Sequence, residues 1–206
     1  MKGYYFVILG LAVVTLLFFY CLLNFFNFKT HKVTTRQVTK DAILIALLCI
    51  TGMFSIPMGE NIKVSLQFLF LIIILSLTDS LFDAILIPIL YLVLGLVAPF
   101  YAGFISGITP TFGFVISFVF GSIPFYFLSR YLPIPYIFRY IIASLVALLI
   151  VYFGGTLFFM FYTSQSIEKS LLITVVPYIG FDIAKIAIGY LILRLLPKEM
   201  KPILNR

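Results

Sequence analysis

Charge is what this chain has least of. Its 206 residues hold 14 Lys and Arg and 7 Asp and Glu, so charged residues make up 10%. A soluble domain carries roughly a quarter, because its surface must stay hydrated. Too few charges are present to coat a water-facing globule, which leaves lipid as the outer solvent. Tryptophan is absent, so anchoring at a membrane interface falls to the 13 Tyr and some of the 24 Phe. The single histidine, His31, excludes a His-built metal site and an HExxH helix. The two cysteines, Cys21 and Cys49, both lie inside apolar runs and read as free buried thiols rather than a disulfide framework. No GxxxxGK[ST] loop occurs, which excludes nucleotide hydrolysis by that route. The stretch from Gly103 to Gly107 places Ser106 one position too late for a nucleophile elbow, with no histidine near in sequence. Neither a metal nor a cofactor is called for, and the chain does not read as an enzyme.

What is present is apolar: 63% hydrophobic residues and a mean hydropathy of +1.21. The apolar residues come in long unbroken runs rather than short alternating segments, so the spans are helices and not barrel strands. Candidate runs are 3–28, 42–57, 64–78, 84–97, 112–128, 140–162 and 171–196, seven in all. With the polar segment 29–40 placed in the cytoplasm, ten basic residues fall on the inner side. Only Lys2, Lys63 and Lys169 fall outside, and Lys185 lies within a span. That asymmetry predicts an outer N terminus and a cytoplasmic C terminus in a cell membrane. The net charge of +7 is spread over short loops and forms no basic patch for nucleic acid. The fold class expected is an all-α polytopic membrane bundle in two parts. Residues 1–32 form an extra N-terminal transmembrane helix with a basic juxtamembrane segment, and residues 33–206 form a six-helix unit.

The last run contains the feature most in need of explanation. Asp182 and Lys185 are three residues apart, sharing one helix face within ion-pairing reach, with Tyr178 and Gly189 on the same stripe. Each charge costs about 2.5–3.5 kcal/mol at the centre of an inserted helix, so the pair needs a polar reason to exist. Read alone, Gln67 suits the capping of a span, Tyr91 suits packing with its hydroxyl on a carbonyl, and Asp79 and Asp83 suit a solvated inner turn. Ala42 and Ala46 form a small-xxx-small face that allows close helix approach. Residues 98–114 form a loop rich in Gly, Pro and aromatics and free of charge, which reads as a lid over a cavity.

Four stretches in order resemble the S components of energy-coupling factor (ECF) vitamin importers, most closely the BioY family. They are Ala42 to Ala46, Val64 to Gln67, Tyr91 to Gly95 with the following Pro99 to Gly103 and Thr109 to Phe114, and Pro177 to Lys185. Phe112 stands where the family pattern has glycine, and the helix before residue 30 lies outside the six-helix plan. The resemblance implies a substrate-binding subunit for biotin that docks on an ECF transmembrane coupling protein driven by two ATPase subunits. It implies that Asp182, Lys185, Gln67, Tyr91, Tyr178, Phe100 and Thr111 bind substrate, with Lys185 facing the carboxylate and Asp182 the ureido N–H groups. Ala42 and Ala46 would contact the coupling protein. Another carboxylate cofactor such as lipoate is the alternative within transport. From other classes, an intramembrane serine–lysine hydrolase and a purely structural membrane protein also remain open.

Overall fold

The computed structural model describes residues 34–57 and 63–197. The expected first helix, over residues 3–28, lies outside them. The chain divides into two units, Met1–Thr39 and Lys40–Arg206. Of the first unit, only the opening of the first described helix is seen. The second unit carries the rest of the architecture.

Among the described residues, seven helices and one small ribbon follow in order: α1 Thr35–Met53, β1 Ser55–Pro57, β2 Lys63–Ser65, α2 Gln67–Leu77, α3 Leu81–Val97, α4 Phe112–Tyr131, α5 Tyr136–Thr163, α6 Ile167–Thr174 and α7 Ile179–Leu195. Phe112–Tyr131 and Tyr136–Thr163 are each long and apolar enough to cross a membrane, and the bent pair α6–α7 counts as a third. The sequence had suggested an uninterrupted helix over residues 42–57. The chain instead leaves the helix at Met53 and pairs β1 antiparallel to β2, Ile56 facing Val64.

The short helix α2 is the centre of the unit. Nearly all of its residues are buried, Ile72, Ile74 and Leu75 completely. At 11 residues it rises about 16 Å, half a bilayer's hydrocarbon thickness, so it serves as core rather than as a lipid-facing span. Its C-terminal carbonyls point towards Arg130 of α4, which is 4% exposed. Arg130 Nη2 donates to the Thr78 carbonyl at 2.5 Å and the Leu75 carbonyl at 3.3 Å. A buried cation thus satisfies the orphan acceptors at a helix end. The same guanidinium lies 4.0 Å over the Tyr126 ring.

The next helix starts with a reciprocal cap. Ser80 Oγ accepts from the Asp83 amide and Asp83 Oδ2 accepts from the Ser80 amide. Asp83 is therefore buried, at 1% exposed, and not a solvated boundary residue as the sequence had suggested. Asp79 does stay at the surface, in an ion pair with Lys40 at 2.6 Å. Helices α4 and α5 pack closely where Gly154 and Gly155 face Ser117 and Phe114. A Cβ on either glycine would sit within 2.3 Å of those side chains.

The expected single run 171–196 is broken in two. Pro177 has no N–H to continue the ladder and restricts the residue before it. The Val175 and Val176 amides both return to the Leu171 carbonyl, and α7 restarts from Tyr178 at a bend of 45°. This break sets a new helix N-terminus beside the cavity described next.

Candidate functional site

A cavity of about 330 Å³ opens in the second unit. That is near the lower end for small-molecule sites, about 300–1,000 Å³. Its walls come from the start of α2, the loop 101–111, α4, α5, α6 and the first turns of α7. Most of the lining is aromatic or aliphatic, including Phe68, Tyr101, Phe112, Phe118 and Leu148, with a few convergent polar groups.

The densest polar group is on α7. Lys185 Nζ donates to Asp182 Oδ1 at 2.5 Å, and Tyr152 of α5 donates its hydroxyl to Asp182 Oδ2 at 2.5 Å. Asp182 is 6% and Lys185 7% exposed. Because α7 restarts at Ile179, the carboxylate lies in the first turn of a helix, where the aligned backbone dipoles favour a negative charge. Beside it, Thr174 of α6 shares a hydrogen bond of 2.9 Å with Thr156 of α5. The site is thus a closed ion pair braced by a tyrosine, not an isolated cation.

Gln67 provides a second polar point at the opposite end of the sequence. Its amide nitrogen donates to Tyr91 Oη at 2.5 Å, and its oxygen accepts from Ser65 Oγ at 3.3 Å. The loop over the cavity is held down at several points. Gly103 N donates to the Met53 carbonyl, Gly107 N to the Gly95 carbonyl, and Tyr101 Oη to the Leu92 carbonyl at 2.6 Å. Gly103 and Gly107 adopt φ of 81° and 79°, backbone that favours glycine. Tyr101, Phe112 and Phe158 form a chain of tilted and edge-on ring contacts from the loop to α5, with centroids 6.1 and 5.9 Å apart.

A model of the BioY family matches residues 28–202. The chain belongs to the BioY family. A solved structure with a similar fold is the crystal structure at 2.1 Å of the S-component for biotin from an ECF-type ABC transporter. The likeness has a TM-score of 0.68 at 22% identity, covers 79% of this chain and 93% of that one, and establishes the fold. A search of curated proteins finds no match. A membrane-protein family together with these apolar helices makes this a multi-pass membrane protein.

The structure of this BioY family member distributes the residues singled out from sequence unevenly. Asp182, Lys185, Gln67, Tyr178 and Thr111 all line the cavity. Tyr91 and Phe100 do not: Tyr91 stands behind Gln67, and the Phe100 carbonyl accepts its hydroxyl at 2.9 Å. Next to Phe100 in sequence, Tyr101 is the residue that faces inward. Ala42 and Ala46 lie on the exposed side of α1, away from the buried Leu44 and Leu48. Among the polar lining residues that sequence reasoning missed are Tyr152 and Thr174. A tyrosine in mid-span of the most apolar long helix was the available signal for the first; Thr174 gave none.

Proposed function

We propose that this chain is the substrate-binding subunit of an ECF-type ABC importer for a vitamin, and that the vitamin is biotin. Family membership and the fold of the biotin S-component support the class, and the Asp182–Lys185–Tyr152 array supports the ligand. The chain works by capture, presenting a shaped cavity to a solute and leaving nucleotide hydrolysis to two ATPase subunits that act through a transmembrane coupling protein. Ala42 and Ala46 on the exposed face of α1 form the surface for that protein. The cavity faces outward, and the C terminus lies in the cytoplasm, as the distribution of basic residues suggests.

The single observation that carries the choice of ligand is that the ion pair is already closed. With Lys185 neutralised by Asp182 at 2.5 Å, a ligand carboxylate placed there would leave a buried site with net negative charge. A neutral group with donors and an acceptor fits better. A ureido carbonyl can accept from the two remaining Lys185 N–H groups, and a ureido N–H can donate to a spare lone pair on Asp182. The ureido ring of biotin thus takes the place that the sequence had assigned to the carboxylate. The dithiolane ring of lipoate offers no N–H and no carbonyl, so the array disfavours it.

Equilibrium binding of biotin and biotin amide to the purified protein tests this assignment. Lys185→Met should weaken both ligands alike, since both keep the ureido ring. A loss confined to the free acid would return Lys185 to the carboxylate.

A further inference from the structure

The Gln67 carboxamide has its orientation set from outside the cavity. Tyr91 is 0% exposed and does not line the cavity, yet its hydroxyl touches both Gln67 and the Phe100 carbonyl. A phenol has one proton to give, and a carbonyl can only accept. The proton therefore goes to Phe100, 2.9 Å away. The 2.5 Å contact to Gln67 must then be an amide N–H donating to the phenol oxygen. The flipped amide would set its oxygen against a lone pair. Which end of an amide is nitrogen is usually a matter of assignment; here the proton count decides it. The amide oxygen lies on the other side, against Ser65, which lines the cavity.

We propose that Tyr91 is a positioning residue that makes Gln67 present a hydrogen-bond acceptor to the cavity, and that this acceptor selects ligands carrying an N–H donor. The inference rests on the biotin reading above and deepens it. Ionised biotin has only two hydrogen-bond donors, the two ureido N–H groups. The cavity then meets them with two acceptors, Gln67 Oε1 for one and Asp182 for the other. Gly52 of α1 is the second support of the device. A Cβ there would lie 2.3 Å from Tyr91 Oη and 2.8 Å from the Phe100 carbonyl, so any side chain displaces the hydroxyl that holds the amide.

The experiment measures Kd for biotin and for its two mono-N-methyl derivatives, each lacking one donor, on full-length protein in nanodiscs. An acceptor left without its donor makes the wild-type protein prefer biotin over each derivative by about tenfold or more. In Tyr91→Phe, and independently in Gly52→Ala, the amide is free to turn. Discrimination against one derivative should then fall by about fivefold or more, while discrimination against the other, held by Asp182, stays. Gly52→Ala lies outside the cavity and serves if Tyr91→Phe fails to fold. If all three ligands weaken equally in either folded variant, Tyr91 only packs and the proposal is overturned. Absence of biotin binding by the wild-type protein is a different result: it overturns the ligand reading and this inference with it.

Discussion

Tyr152 on α5 and Asp182 on α7 are joined by a hydrogen bond of 2.5 Å in which the phenol donates to Oδ2. With Lys185 on the other oxygen, the carboxylate is held from both sides in one orientation. Its remaining lone pairs are thereby aimed before a ligand arrives, so less ordering is left to be done on binding.

Tyr152→Phe removes that donor and keeps the ring. A hydrogen bond to a charged group contributes about 1.5–3 kcal/mol, so biotin affinity should fall about tenfold or more. Titration calorimetry checks the affinity, and circular dichroism should show unchanged helix content. An unchanged Kd would mean that Asp182 is held well enough by Lys185 alone.

A second expectation concerns stability rather than binding. Arg130→Met removes the guanidinium donor from the Thr78 carbonyl at the buried end of α2, while the Leu75 carbonyl keeps the Thr78 hydroxyl. Leaving such an acceptor unpaired costs about 1–3 kcal/mol. The melting temperature in detergent should drop, while biotin affinity measured well below that temperature stays within a few-fold of wild type, because Arg130 does not line the cavity.

Much of this was legible in the sequence, and the rest failed for identifiable reasons. Asp182 and Lys185 stood out because ionisable residues inside a span carry a cost that demands an explanation. Gln67 and Thr111 could be placed through motifs. Tyr152 could not, since a tyrosine in an apolar run is usually packing and its partner lies 30 residues away. The motif around Tyr91 points to the cavity, but its ring direction depends on where Gly52 allows the hydroxyl to sit, a tertiary fact. Strands β1 and β2, at three residues each, are too short to show a strand period. The break before α7 was written in Pro177, yet the surrounding apolar residues hid it.

The exposed face of α1 leads to a third expectation. Ala42→Leu or Ala46→Leu adds bulk where close helix approach is needed. Uptake of labelled biotin by cells should stop, while binding to the purified variant is retained. Loss of binding would assign both alanines to the protein's own packing.

Orientation is open to direct measurement. With Cys21 and Cys49 replaced by alanine, a cysteine at Thr35 should resist an impermeant maleimide applied to intact cells, and one at the exposed Ser166 should react. The reverse pattern would invert the proposed topology and turn the cavity towards the cytoplasm.

The most direct test of the account is equilibrium binding of radiolabelled biotin to the purified wild-type protein alone, without coupling protein or ATPases. Saturable binding of one biotin per chain is predicted, displaced by unlabelled biotin and not by lipoate. It should weaken by about 2–5 kcal/mol in Lys185→Met, where one partner of a desolvated charge pair is removed. Absence of saturable binding, or equal affinity in wild type and a correctly folded Lys185→Met, would contradict it.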